Sequence, residues 1–249
     1  MLEAVFFIVA GFIAQMIDGA LGMAYGVSLN SMLISFGFSP AVASLNVHAS
    51  EMFTSLASGL SHLKIGNVNL GLLKKLLIAG VIGGVAGVCT LVLVPTEMIK
   101  PIVSAYLLIM GIVIIMKAVR VVRRTEFNDR QRGVPLLALF GGFLDAVGGG
   151  GWGPIVTSTL IARGGNPKIS IGTVNLAEFF VTISQVATFI VFLGTVQWHI
   201  ILFIIIGGLI ASPIAAYTCK KVPIRPLMIA VGSLICLLSL RNILLTILA

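Results

Sequence analysis

Asp145-Ala146-Val147-Gly148-Gly149-Gly150-Gly151-Trp152-Gly153-Pro154 interrupts an apolar run, and a partner stretch stands 127 residues upstream, Asp18-Gly19-Ala20-Leu21-Gly22-Met23-Ala24-Tyr25-Gly26. Four consecutive glycines do not serve a helix, because each costs about 1 kcal/mol relative to alanine. They allow an unwound stretch whose backbone can approach a neighbour closely. The same shift aligns 18–57 with 145–184 without a gap. It pairs Asp18 with Asp145, Gly22 with Gly149, Gly26 with Gly153, Pro40 with Pro167 and Glu51 with Glu178. Tyr25 meets Trp152, and His48 meets Asn175. Chance similarity between apolar segments matches Leu with Ile; here acids, glycines and prolines match, so the chain reads as a duplication.

Outward from the two breaks the sequence is apolar. Hydrophobic residues make up 58% of the 249 and charged residues only 10%, where a soluble domain carries about a quarter. Runs such as 70–95, 99–116, 200–216 and 227–240 keep their charges near the ends and approach the 20 or so residues that cross a bilayer as helix. Helices also satisfy every backbone group inside lipid. Four segments are short or broken and fall into two pairs, 3–17 with 22–37 and 134–147 with 152–163. The predicted fold is an all-α polytopic membrane protein of two inverted repeats. Each repeat is a broken, re-entrant helical pair followed by three transmembrane helices. The N-terminal repeat covers 1–122, a basic cytoplasmic loop 123–133, and the C-terminal repeat 134–249. Met1-Leu2-Glu3 lacks a basic leader and is read as part of the mature fold.

Charge orients this arrangement. With each short pair entering and leaving on one side, all of the 16 Lys and Arg except Lys100 and Arg241 fall on one face. The positive-inside rule makes that face cytoplasmic and puts both termini outside, in a multi-pass protein of the inner membrane. The same parity holds if the short segments cross fully, so charge leaves hairpin and crossing equally open. The net charge of +8 is thereby a matter of topology and of attraction to anionic lipid, and no nucleic-acid motif accompanies it.

Three groups of residues carry the candidate chemistry. The half-helices restarting near Gly22 and Gly151 would aim their N–H groups at the breaks, which suits an anion with several acceptor oxygens. Paired interruptions of this kind point to a transporter site. Gly22, Tyr25, Gly26, Ser28, Gly149, Gly150, Gly151, Trp152, Gly153 and Thr157, with His48 and Asn175, are the candidate substrate-binding set. Asn30, Ser31, Ser158 and Thr159 offer donors either to ligand or to neighbouring helices. Asp18, Glu51, Asp145 and Glu178 are ionisable groups in apolar surroundings, where a charge costs about 2.5–3.5 kcal/mol, and they are the candidate proton carriers. The two aspartates have a structural alternative, accepting the N–H bonds freed at the breaks. His48-x-x-Glu51 is matched by Asn175-x-x-Glu178, so a symmetric metal pair lacks ligands; no metal, cofactor, nucleotide loop or catalytic triad is expected. The isolated Cys89, Cys219 and Cys236 read as small apolar fillers.

With these residues in view, the chain resembles the sulfite exporter TauE/SafE family of membrane permeases. The resemblance rests on Gln15 to Gly26 and Gly148 to Pro154, each followed by a turn (Ser39-Pro40, Asn166-Pro167) and by Asn46-Val47-His48-Ala49-Ser50-Glu51 or Thr173-Val174-Asn175-Leu176-Ala177-Glu178. It implies ATP-independent movement of sulfite, an organosulfonate or a related small anion across the cytoplasmic membrane. The partners so implied are that anion and the bilayer, with further copies of the chain left open. Ala20-Leu21 and Met23-Ala24 replace a denser glycine run of many members, which makes the two half-sites unequal. The competing classes are a passive anion channel and a non-transporting assembly or sensor subunit; an enzyme is not expected.

Overall fold

A computed structural model describes residues 2–21, 23–119, 133–194, 196–218 and 224–248. The basic loop expected at 123–133 lies outside the described residues except for Gly133, as do Gly22, Cys219, Lys220 and Lys221. All the described regular structure is helical. In order these are α1 (Leu2–Leu21), α2 (Tyr25–Ser35), α3 (Pro40–Lys64), α4 (Leu70–Leu93) and α5 (Thr96–Val119). Then follow α6 (Val134–Gly148), a π-helical turn (Gly153–Thr157) continuing into α7 (Ser158–Ala162), α8 (Pro167–Leu193), α9 (Trp198–Thr218) and α10 (Ile224–Leu248). The first helix outruns its expected end at residue 17 by four residues: Gly19 and Ala20 do not break it, and the interruption narrows to 22–24.

Local sequence sets most of the boundaries. The longest helices after the breaks start on Pro40 and Pro167, whose missing N–H is no loss in a first turn. The preceding Ser39 hydroxyl accepts from Val42 N–H, and Asn166 Oδ1 accepts from Lys168 N–H at 3.0 Å. Asn69 caps α4 in the same way through Leu72 N–H at 2.9 Å. The order repeats: Pro40 and Pro167, Leu70 and Trp198, and Thr96 and Ile224 each open corresponding helices 127 or 128 residues apart.

Tertiary contacts respect that correspondence. The first helix of each half packs against the fourth element of the other, α1 on α9 and α6 on α4. Counterparts pair with each other, α3 with α8 and α5 with α10. Their direction is opposite. Along α3 and α8, Ser58 meets Asn175, Gly59 meets Leu176, and His62 meets Gly172. Along α5 and α10, the positions of Gly111 and Gly232 are close, and Leu108 C=O accepts from Cys236.

Both short pairs turn back on themselves. Phe6 and Phe7 at the start of α1 pack against Phe36 and Phe38 just past α2, with ring centroids 3.7 and 5.8 Å apart. Gly133, at the start of α6, lies beside the Arg163 guanidinium at the end of α7. At 15 residues α6 is about 22 Å long, short of the hydrocarbon thickness.

Four helices are long and apolar enough to cross a membrane among the described residues: Leu70–Leu93, Thr96–Val119, Lys168–Leu193 and Met228–Thr246. In α9 the apolar stretch whose side chains are described, Trp198–Ala211, is shorter. Helix α3 is long but less apolar, because one of its faces is polar and turned inward. Outward-facing Ile78, Ile82, Ile109, Phe140, Val191, Leu202 and Leu209 leave a surface that water would not tolerate over such an area, and lipid does.

Candidate functional site

The two breaks meet in the middle of the molecule. Helix α6 ends because Gly149 and Gly150 take φ of +62° and +146°, which L side chains rarely adopt. A Cβ at Gly26, at the start of α2, would collide with the Gly149 carbonyl and Gly150 Cα. Glycine at 26 and 150 is thus what lets the two interruptions touch backbone to backbone. In the first break the left-handed residue is Ala24, with φ 82°, at a cost of roughly 1–2 kcal/mol.

Ending a helix inside an apolar body frees carbonyls that need donors. Those of α6 find them in the turn that follows and in the other half. Asp145 C=O accepts from Gly150 N–H at 2.9 Å and from His48 Nε2 at 3.3 Å. Ala146 C=O accepts from Ser44 at 2.6 Å, and Gly148 C=O from the Asn30 amide. Tyr106 of α5 donates to Gly150 C=O at 3.1 Å. Lys117, near the end of α5, donates to Pro154 C=O and Ser158 Oγ, both at 2.7 Å, and so holds the returning helical arm of the second hairpin. Sequence reasoning used Lys117 only for topology.

The aspartates occupy equivalent cap positions. Asp145 Oδ1 accepts the Trp152 backbone N–H at 2.9 Å, seven residues on. Asp18 lies near the Tyr25 backbone N–H, also seven residues on. Asp145 is fully enclosed, and its Oδ2 accepts from Gln185 Nε2 at 3.1 Å. Trp152 is enclosed too: its ring packs on Gly80, and its indole N–H donates to Val174 C=O at 3.2 Å.

Beside these caps, His48 lies 3.5 Å from Glu51 Oε2 and 3.9 Å from Asp145 Oδ2 through Nδ1. Its Nε2 faces a carbonyl that can only accept, which assigns the ring proton to Nε2. A neutral imidazole then sets its Nδ1 lone pair against two carboxylate oxygens. A proton held on Nδ1, or on the facing carboxyl, removes that repulsion and converts the contact into a hydrogen bond. The arrangement is chemically a place to keep a proton.

In front of this layer lies a cavity of about 310 Å³. Its floor is the meeting of the breaks, with Tyr25, Gly26, Gly150, Gly151 and Gly153. Its walls carry Asp18, Glu51, Glu178, Asn175 and Gln15, and it runs along Thr54, Ser55 and Ser58 to His62 in the last turn of α3. Among the described residues no Lys or Arg lines it. Of the expected site residues, Tyr25, Gly26, Gly150, Gly151, Gly153, Asn175, Asp18, Glu51 and Glu178 therefore share one cavity. His48, Asp145, Trp152, Gly149, Ser28 and Thr157 stand outside its lining, and Gly22 lies outside the described residues. Ser31 and Asn30 serve helix contacts, to Val27 C=O and Gly148 C=O.

Sequence reasoning missed Gln15, Thr54, Ser55, Ser58 and His62 as wall residues. A signal was present: with Glu51 the α3 members recur at spacings of three and four, a polar stripe on one face of an apolar helix. A second, wider pocket of about 550 Å³ lies at the other end of the hairpin in α1 and α2, among Phe6, Phe7, Phe36, Phe38, Gln197 and His199.

A bundle of apolar helices around a polar cavity, floored by two broken helices, defines a polytopic membrane protein of the transporter class. The chain belongs to the sulfite exporter TauE/SafE family, which matches residues 7–242. It is also similar to the probable membrane transporter protein YtnM of Bacillus subtilis (strain 168), with 38% identity over 251 residues, covering 98% of this chain and 83% of the relative. No solved structure matches it.

Proposed function

We propose that the protein is a secondary transporter for a small anion such as sulfite or an organosulfonate, with proton movement coupled to substrate movement. The observation that carries this reading is the single cavity at the junction of the two breaks, into which both halves place a glutamate, Glu51 and Glu178. An anion sharing this space with Asp18, Glu51 and Glu178 meets like charges at low dielectric, so it enters with protons on those groups. His48 and Glu51 are the site where such a proton resides, and the enclosed Asp145 is its electrostatic partner.

In this reading the halves, 1–122 and 134–249 joined by the loop 123–133, are inverted repeats. The antiparallel pairing of α3 with α8 and of α5 with α10 supports the inversion, and the fold-back of both short pairs supports re-entrant hairpins. Lys64, Lys74, Lys75, Lys117, Arg163, Lys168 and Arg225 then mark the cytoplasmic face of the inner membrane, with both termini outside. The cavity leads toward the Lys64 end of α3, which makes this the inward-facing state. Backbone contact between Gly26 and Gly149–Gly150 closes the floor, which favours alternating access over an open anion channel. Rocking of one half against the other would open the floor toward the aromatic pocket at the opposite end. No enzymatic step belongs to this function.

The test is flux of labelled sulfite and of a labelled sulfonate in proteoliposomes under an imposed pH gradient. Expected is uptake that rises with the inward proton gradient and loses that dependence in Glu51→Gln. Flux indifferent to the gradient in the unaltered protein would remove the coupling.

A further inference from the structure

We propose that the substrate path runs between two matched polar stripes on α3 and α8, and that their closed end, with Ser44, His48, Thr182 and Gln185, lines the cavity of the opposite, outward-facing state. This rests on the transport reading above and adds to it the residues that substrate meets beyond the floor.

The stripes repeat in register. Ser44, His48, Glu51, Ser55, Ser58 and His62 recur along α3 at spacings of four and three, which keeps them on one face. Ile171, Asn175, Glu178, Thr182, Gln185 and Phe189 occupy the same positions of α8, 127 residues on. The two faces meet. Asn175 Nδ2 donates to Ser58 Oγ at 2.7 Å toward one end, and the His48 and Phe189 rings stack with centroids 6.4 Å apart toward the other. Because the helices are antiparallel, the start of one stripe lies beside the end of the other.

The cavity uses only one end of this arrangement. Its wall takes Glu51, Ser55, Ser58 and His62 from the later part of α3, and Ile171, Asn175 and Glu178 from the earlier part of α8. The other members, Ser44, His48, Thr182, Gln185 and Phe189, are fully buried. Enclosing polar side chains costs free energy unless each finds a partner, and His48 Nδ1 and Gln185 Oε1 have no hydrogen bond. A state that wets this end supplies one. The floor, by contrast, belongs equally to both halves: Gly26 and Gly153, Val27 and Pro154, and Glu51 and Glu178 are equivalent pairs, and all line the cavity. A symmetric floor with walls from one end of each stripe is what one of two alternating states of a duplicated protein presents; the other state exposes the other ends.

The second hairpin closes the far end. Ser44 Oγ donates to Ala146 C=O at 2.6 Å, His48 Nε2 to Asp145 C=O at 3.3 Å, and Gln185 Nε2 to Asp145 Oδ2 at 3.1 Å. All three bonds go to the last turn of α6. At the open end the counterpart of Asp145 is Asp18, which lines the cavity, and the counterpart of His48 is Asn175, which bonds to Ser58 instead. The end of α6 is thus docked on the stripes while the end of α1 stands back from them, and exchanging the two postures closes one end and opens the other. Beyond the closed end the chain leads to the aromatic pocket, since Phe38 lies just before α3 and Gln197 just after α8.

Sided access of cysteine probes decides this. Ser55→Cys, Thr182→Cys and Ser44→Cys are placed singly in the full chain, in right-side-out and in inverted membrane vesicles. A membrane-impermeant maleimide is applied, and the modified residue is located by mass spectrometry. Ala177→Cys, buried on α8 but off the stripe, is the control. Expected is labelling of Ser55→Cys from the Lys64 side, and of Thr182→Cys at least about tenfold faster from the opposite side than from the Lys64 side, with Ala177→Cys silent from both. Ser44→Cys should behave as Thr182→Cys does, and gives the same reading should Thr182→Cys not fold. Labelling of these two from the Lys64 side, or from neither side, overturns the path. So does equal labelling of Ala177→Cys, which would mean that α8 opens locally. Flux of a labelled sulfonate and of labelled sulfite in the same vesicles separates this inference from the reading beneath it. Flux without access from the far side overturns the path and leaves anion transport standing, whereas far-side access without flux of either acid keeps the path and overturns the anion as its substrate.

Discussion

Gly26 and Gly153 stand at equivalent positions of the duplicated motif, yet alanine at the two sites should act in opposite directions. At Gly26 the added Cβ would lie 2.5 Å from the Gly149 carbonyl oxygen and 2.6 Å from Gly150 Cα. Ordinary carbon contacts begin about 1 Å farther out. Both neighbours are backbone, one of them in a left-handed turn, so neither can yield by rotating a side chain. Overpacking of this kind costs up to about 3 kcal/mol. Residue 26 is helical, and alanine returns about 1 kcal/mol of helix propensity. The net loss is about 2 kcal/mol, equivalent to a fall of about 4–8 °C in Tm for a chain of this size. At Gly153 the nearest atoms to a new Cβ are Met23 Cβ at 3.6 Å and Met23 Cα at 3.7 Å, an ordinary contact. Gly153→Ala should therefore leave Tm unchanged or raise it by a few degrees. Thermal unfolding of both variants in one detergent provides the comparison, with sulfonate flux in proteoliposomes as a second readout. Equal losses at both sites, or a larger loss at Gly153, would refute backbone contact between the breaks.

Lys117→Met removes two charge-assisted hydrogen bonds to the second hairpin, and a loss of about 1.5–3 kcal/mol is expected in thermal unfolding; an unchanged Tm would argue that Lys117 does not hold Pro154 and Ser158. Trp152→Phe leaves the Val174 carbonyl without its indole donor but alters no cavity-lining side chain. It should lower Tm while substrate affinity by calorimetry stays within about threefold, and a tenfold loss of affinity with an unchanged Tm would put Trp152 in contact with substrate. Asp145→Ala strands the Trp152 N–H inside the fold, at about 1–3 kcal/mol, and leaves Gln185 Nε2 only its 3.3 Å bond to the Gly142 carbonyl. It should be the most destabilising of these variants, and retention of a sharp transition near the original Tm would show that the cap is dispensable.

The transport cycle suggested by this geometry gives the two hairpins different tasks. The second is gripped by side chains from α2, α3 and α5, through Asn30, Ser44, His48, Tyr106 and Lys117. The first is tied at its far end, where Arg241 Nη1 donates to the Ser35 carbonyl at 2.9 Å and Asn242 to Ser35 Oγ at 3.2 Å. A cation at the C-terminal end of α2 also complements its dipole.

Helical class and the order of the described helices were legible in the sequence because apolar length and capping are local properties. Ser39-Pro40 and Asn166-Pro167 announce two of the helices that line the cavity, and the repeat of acids and glycines marks the breaks. Partners were not legible. Their place beside a break offered Asp18 and Asp145 alike as caps, but nothing in the order of residues tells that Asp18 also lines the cavity with Glu51 while Asp145 is enclosed behind it. The tertiary structure decided this by bringing α3 alongside α6 and α8. Nor did the motif separate Gly26 from Gly153; only the direction from which the second break approaches the first makes one indispensable and leaves the other free. Local chemistry is written along the chain, whereas which carbonyl a donor finds depends on groups tens to more than a hundred residues apart, and folding alone places those.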